Sequence, residues 1–167
     1  LLNLLTDYAN TFSILEKYDQ NKLKSGRGKK AGFVLEYKEC LNLIGELKKK
    51  LLAKNEAGDI FGNKSGHGLE SVIGNLYQTF GGKELYKTIE DKSSHLLYLI
   101  IKDHPFTDGN KRIASFLFVY FLDKNDYLYR DSGEKKINDN ALTALALLIA
   151  ESDPKEKGQI IALISQL

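Results

Sequence analysis

Nine consecutive residues, His104-Pro105-Phe106-Thr107-Asp108-Gly109-Asn110-Lys111-Arg112, run directly into an apolar series from Ile113 to Leu122. Proline at 105 disfavours helix at the residue before it, so a preceding helix has to end at His104. Gly109 and Asn110 tolerate the left-handed conformations that a tight loop requires. The series after Arg112 carries almost no polar surface before Asp123, which predicts a helix buried nearly all round. A buried helix that starts at a glycine-containing loop presents free backbone N–H groups and a positive dipole end, an arrangement suited to anions. Lys111 and Arg112 add full positive charge at the same place. His104 is a candidate general base, and the Asp108 carboxylate is an oxygen ligand of the kind Mg²⁺ takes. A base, a metal ligand and an anion cradle within nine residues point to phosphoryl transfer. A His-Pro or an Asp-Gly pair alone would signal no more than a turn.

These residues fill every fixed position of the pattern His-Pro-Phe-x-[Asp/Glu]-Gly-Asn-x-Arg, and through it the chain resembles the Fic/Doc family. The resemblance implies an all-α fold of about six or seven helices around a buried central helix, with a small flap. It implies that His104 takes a proton from a target hydroxyl and that Phe106 anchors the loop to the core. Asp108 is implied as the Mg²⁺ ligand, with Gly109, Asn110, Lys111 and Arg112 as the phosphate-binding group. Arg112 is placed with His104 in the catalytic pair.

Adenylylating members of the family continue Gly-Asn-Gly-Arg-x-x-Arg. Here Lys111 stands at the second glycine and Ser115 at the second arginine, as in the Doc-like branch, which resembles a protein kinase of toxin–antitoxin systems. The expected activity is therefore Mg²⁺-dependent transfer of phosphate from ATP, or another nucleoside triphosphate, to a Ser, Thr or Tyr hydroxyl of a target protein. AMP transfer and a non-catalytic binding domain of the same fold are the alternatives. The segment Gly68-Leu69-Glu70-Ser71 resembles part of a target-docking flap at about residues 62–80, with Leu69 and Val72 as its docking side chains. More loosely, the whole chain is similar to the C-terminal domain of bacterial RhuM-type virulence-associated proteins. An antitoxin or an upstream N-terminal domain is then an expected partner.

Size and composition agree with one domain spanning residues 1–167. Apolar residues make up 43% and charged residues 28%, ordinary for a globular protein. A net charge of +2 gives no bulk attraction to nucleic acid or membrane, so neither is an expected partner. Cys40 is the only cysteine, which rules out an internal disulfide and fits a reducing cytoplasm; the resemblance implies a bacterial one, with delivery to a host cell left open. It falls on an apolar helical stripe with Tyr37, Leu41 and Ile44, the setting of an inert thiol. The absence of methionine, even at position 1, suggests a part of something longer.

Along the chain, apolar residues at Leu1, Leu5, Tyr8, Phe12 and Leu15 predict an amphipathic helix. Residues 20–32 read as a solvated loop carrying Lys22, Lys24, Arg27, Lys29 and Lys30, with no aromatic residue interleaved for base stacking. A helix is expected from Phe33 to about Ala57, with Lys48, Lys49 and Lys50 on an exposed face. The segment 69–77 is ambiguous between a short helix and a hairpin. Gly81-Gly82-Lys83 lacks the first glycine and the Ser or Thr of a P-loop, which leaves a turn. Thr88 should cap a helix from Ile89 to about Lys102, carrying His95 as a capped or solvent-facing residue. Asn125 is a candidate left-handed cap. Asn138 should cap a helix carrying Ala141, Leu142, Leu145, Leu148 and Ile149. Asp153-Pro154 should open the last helix, with Ile160, Ile161, Ile164 and Leu167 buried.

Overall fold

The computed structural model describes residues 2–25 and 28–167. Seven α-helices and one short hairpin make up the described part: α1 (Leu2–Asp19), α2 (Tyr37–Ala53), α3 (Gly68–Leu76), β1 (Thr79–Phe80), β2 (Lys83–Glu84), α4 (Ile89–Asp103), α5 (Asn110–Lys124), α6 (Asp139–Glu151) and α7 (Lys157–Ser165). The fold is all-α, as expected. Its centre is the pair α4 and α5, with α3, α6 and α7 packed on α4 and α1 on α7.

The helix expected after the motif is there. Ile113, Ala114, Leu117, Phe118, Phe121 and Leu122 of α5 are buried, and no residue between Arg112 and Asp123 is exposed. α4 is buried more completely still, from Ile89 to Ile101 apart from Asp91. That span includes Glu90, Lys92, Ser93, Ser94 and His95. Each of these is satisfied internally, which buried polar groups require. The Lys92 ammonium donates to the carbonyls of Leu76 and Tyr86 and pairs with Glu84 at 3.4 Å. The Glu90 carboxylate accepts from the Tyr127 hydroxyl and from the Lys29 N–H at 3.1 Å. His95 is capped rather than solvent-facing: its Nδ1 lies 2.7 Å from the Asp91 carbonyl, and its ring stacks on Tyr86 at 3.8 Å. Burial lowers its pKa and favours the neutral ring.

The expected caps form at Thr88, Asn138 and Asp153, each accepting a backbone N–H of the helix or turn that follows. The left-handed residue after α5 is Asp126, not Asn125. Asn125 instead turns its amide inward, donating to the Phe121 carbonyl and accepting from the N–H groups of Gly32 and Phe33. Cys40 is fully buried, and burial pushes its thiol up to about 12, so it is no nucleophile near neutral pH. Gly81 and Gly82 both take positive φ and make the two-residue turn of the β1–β2 hairpin.

Asn125 is not the only departure from expectation. The segment from Gly68 is the helix α3, and Leu69 and Val72 are 1% exposed, packed in the core with Ile73 and Leu76. Their spacing, i, i+3, i+4 and i+7, is a helical stripe. A helix satisfies its own backbone and offers no edge to a peptide, so these two residues are not docking side chains. Phe12 and Leu15 of α1 are exposed, while the Leu1, Leu5 and Tyr8 side chains and Arg27 lie outside the described residues. Leu167 is exposed rather than buried; α6 carries Ala141, Leu142, Leu145, Leu148 and Ile149 as expected, with Ala141 and Leu148 exposed and Ala146 buried. Lys48 does not simply face solvent: its ammonium reaches Asn63 at 3.0 Å and the Asp59 carbonyl.

Truncating Leu69 to alanine should therefore cost about 2–5 kcal/mol, the range for a large-to-small change in a packed core. Urea unfolding measures this; an unchanged midpoint would return Leu69 to the surface role first expected of it.

Candidate active site

Residues 104–109 join the two central helices, and the turn is built from within. α4 ends at His104, whose φ of 48° and ψ of 58° put a non-glycine residue in the left-handed region. Pro105 enforces that ending. Phe106 then drops into the core at 2% exposure, beneath the loop. The Asn110 amide closes the turn. It accepts from the Phe106 N–H at 3.0 Å and donates to the Phe106 carbonyl at 2.8 Å. Its side chain is thus taken up by the loop, and what Asn110 offers a bound anion is its place at the start of α5. Gly109 is left-handed at φ 87°, and a Cβ there would run into the Phe61 ring.

A second segment braces the loop from outside. Phe61 forms a parallel bridge with Asp108, and Lys64 an antiparallel one with Phe106. Gly62 N–H donates to the Asp108 carbonyl at 3.1 Å, Thr107 N–H to the Asn63 carbonyl at 2.9 Å, and Ser65 N–H to the Pro105 carbonyl at 2.8 Å. Lys48 of α2 holds Asn63 in turn. Phe61, fully buried, is the floor of the site: it lies beneath Gly109 and 4.6 Å from the Arg112 guanidinium. Phe61, Asn63 and Glu56 lie more than forty residues before the loop they serve and outside the nine-residue motif. The available signal was a lone aromatic inside a glycine-rich turn, which has no reason to be there unless it packs on something.

Arg112 is held on three sides. It donates to the Glu56 carbonyl at 2.7 Å, lies over Phe61, and faces the Asp108 carboxylate at 3.6 Å. Lys111 is exposed and makes no ion pair among the described residues. The imidazole of His104 is exposed too. His104, Thr107, Asp108, Gly109, Asn110, Lys111 and Arg112 together line one cleft of about 370 Å³. Six of the residues assigned to the site from sequence are therefore brought together, with Phe106 beneath them, while Leu69 and Val72 are not among the lining residues.

Lys111 and Arg112 also line a second groove of about 370 Å³. It runs between α2, α5 and α6, its walls chiefly apolar, with Leu47, Leu51, Leu142 and Ala146 beside Ser115, Asp139 and Thr143. The polar cleft and the apolar groove meet at these two cations.

The sequence model of the Fic/DOC family matches residues 37–122, from the first residue of α2 almost to the end of α5 and just over half of the chain. The chain belongs to the Fic/DOC family. No curated protein and no solved structure matches it. The match takes in all of this Fic/DOC site: the α2 residue Lys48, the Phe61–Ser65 brace, and the loop with its two helices. No helix is long and apolar enough to cross a membrane among the described residues.

The double role of Asn110 makes a prediction for this loop. Asn110→Ala leaves the Phe106 N–H and carbonyl without partners, at a cost of about 1–3 kcal/mol. Hydrogen exchange should quicken first at Phe106, ahead of global unfolding. Protection at Phe106 that matched the parent protein's would show that the amide does not hold the loop.

Proposed function

We propose that this Fic/DOC chain transfers the terminal phosphate of ATP, or another nucleoside triphosphate, to a Ser, Thr or Tyr hydroxyl of a target protein. The observation that carries the reading is the shared cleft: an exposed imidazole, a half-exposed carboxylate and the N-terminus of a buried helix, with two cations at the same helix start. A phosphate chain in that cleft would meet the first N–H groups of α5, Lys111 and Arg112. The apolar groove that begins at the same two cations suits the nucleoside end of such a donor.

In this reaction the target hydroxyl gives its proton to His104 as its oxygen attacks the γ-phosphorus. The bond to the β–γ bridging oxygen breaks, and the nucleoside diphosphate leaves. Fixed donors at α5 and Arg112 meet the charge that develops on the transferred group. Asp108 fits Mg²⁺: its carboxylate opens on the cleft, and Mg²⁺ is commonly held by one or two carboxylates together with substrate phosphates. Among the described residues no group of three or more metal-ligating side chains occurs, which suits an ion held jointly with the donor. Bound there, the metal would neutralise charge on the donor phosphates.

Phosphate rather than AMP transfer is favoured by Lys111, which stands where adenylylating relatives carry glycine and brings a free cation to the donor's terminal group. Ser115, in place of a second arginine, leaves no further cation along the groove. The Doc-like assignment, a bacterial toxin or virulence setting and an antitoxin-type inhibitor belong to the same proposal and rest on the resemblance of the motif.

The test is a pair of incubations with Mg²⁺ and cell lysate, one with ATP labelled at the α-phosphate and one at the γ-phosphate. Label on protein from γ alone is expected; label from α means AMP transfer, and label from neither means no transfer. His104→Ala should keep the fold and lose about 10²–10⁴-fold in rate; turnover at the parent rate would remove His104 from the reaction. Asp108→Ala should lose activity together with its Mg²⁺ dependence, and activity that persists in chelator would sink the metal assignment.

A further inference from the structure

We infer that the face of the protein around the N-terminus of α4 binds single-stranded nucleic acid. The face is assembled from three separate stretches of chain. Residues 29–31 run as an extended segment against 87–89: Lys30 bridges Thr88, Ile89 N–H donates to the Lys29 carbonyl at 2.8 Å, and Ala31 N–H to the Lys87 carbonyl at 3.3 Å. Successive residues of an extended segment point to opposite sides, and here each side opens on a cleft. Lys29 lines one of about 530 Å³ with Arg130 and Lys136. Lys30 lines another of about 380 Å³ with Lys83 and Lys87.

Six cations therefore border two adjoining clefts, against the carboxylates of Glu84, Asp126 and Asp131. None of the six makes an ion pair among the described residues, and Glu84 is already engaged by the buried Lys92. The whole chain is only +2, so this face is positive at the expense of the rest of the surface. Lys136 is the least free of the six: its ammonium lies over the Tyr127 ring, and its pKa is lowered by burial, with the attraction of Glu90 next and ahead of the repulsion of Arg130. The other five, Lys29, Lys30, Lys83, Lys87 and Arg130, are exposed and make no ion pair among the described residues, and an anion bound among them would relieve their mutual repulsion.

Charge alone would suit any polyanion. The aromatic residues narrow the partner. Phe80, next to the turn of the β1–β2 hairpin and paired in register with Lys83, is 86% exposed. Tyr129, in the hairpin closed by its bridge to Lys135, is 51% exposed and lines the larger cleft. One aromatic thus stands near each cleft, beyond the lysines. Cations that follow a phosphate backbone, with exposed rings on which unpaired bases can stack, are the recognition elements for single strands. Residues 20–32 showed no such rings in sequence because the rings come from residues 80 and 129.

The face lies apart from the active site. α4 is 15 residues long, so its two ends are about 22 Å apart at 1.5 Å per residue. A strand bound at the N-terminal end would not cover His104, and it would serve to hold the protein near targets that are themselves on nucleic acid.

The experiment is fluorescence anisotropy with a labelled 20-nucleotide single strand, DNA and RNA in separate arms, without ATP, on the parent chain and on His104→Ala. Both proteins should bind, so the result is independent of the transfer reaction. Affinity should fall roughly 20- to 100-fold from 50 to 200 mM salt, as neutralising about four phosphates of a single strand implies. Lys29→Glu with Arg130→Glu should weaken binding at least about 10-fold, and Phe80→Ala and Tyr129→Ala about 5- to 150-fold each, from the loss of one stacked base. All four positions are exposed, and an unchanged melting temperature confirms that the variants fold. No binding at 50 mM salt overturns the proposal. So does equal affinity for duplex DNA, equal affinity for anionic phospholipid vesicles, or loss on charge reversal with no effect of either aromatic change.

Discussion

The site depends on the two hydrogen bonds between the Asn110 amide and the backbone of Phe106. They close the connection between α4 and α5 into a ring, which sets where His104 points relative to the first N–H groups of α5. Each bond contributes about 1 kcal/mol net, but leaving the Phe106 groups unpaired beside a buried ring would cost more than making the bonds gains. The anchor and the clamp support each other. Phe106 can be buried because its backbone is satisfied, and the amide is well placed because Phe106 is fixed. Phe61 completes the constraint from below. With its ring beneath residue 109, only glycine fits there, and the left-handed conformation then comes at no steric cost.

That local arrangement would drift without the helices behind it. α4 is buried along almost its full length, polar residues included, so its C-terminal end cannot shift without disturbing Lys92 and Glu90 at the other end. Lys92 is fixed by the carbonyls of Leu76 and Tyr86, and this ties α4 to α3 and to the β1–β2 hairpin. A paired cation in a core contributes little net stability, but removing its partners would strand a charge. The physical consequence is registration: α4 has one depth in the core, and His104 emerges at one place.

How much of this was legible followed from how local each cause is. The ending of α4 at His104, the start of α5, the caps at Thr88, Asn138 and Asp153, and the seven motif residues that line the cleft all arise from residues adjacent in sequence. Proline geometry, glycine freedom and short polar side chains act over one to four positions. The failures share the opposite origin. The brace from Phe61 to Ser65 acts across some forty residues and leaves no periodic trace. Leu69 and Val72 belonged to a helical stripe with Ile73 and Leu76, but family resemblance outweighed the spacing and moved them to a docking surface. Asn125 was expected to bend the backbone and instead binds Gly32 and Phe33, a partnership that only the tertiary fold creates. Leu148 keeps helical spacing with Leu145, yet α6 has neighbours on one side only, so the stripe it offers is wider than the core it meets.

The two cations at the start of α5 are prepared differently, and the difference bears on the proposed reaction. Arg112 is fixed before any anion arrives, by the Glu56 carbonyl, the Phe61 ring and Asp108, so its alignment costs nothing at the moment of transfer. Lys111 is exposed and can follow a group that moves. Asp108 and Arg112 are each close to half exposed and stand 3.6 Å apart, a pairing of about 0–1 kcal/mol. Little opposes their separation. An anion that takes up Arg112 weakens its hold on Asp108 and leaves that carboxylate freer for a cation, and a cation on Asp108 does the same for Arg112. In the proposed reaction this weak pair would make the donor phosphates and their metal arrive in mutual support, because each removes the other's competitor.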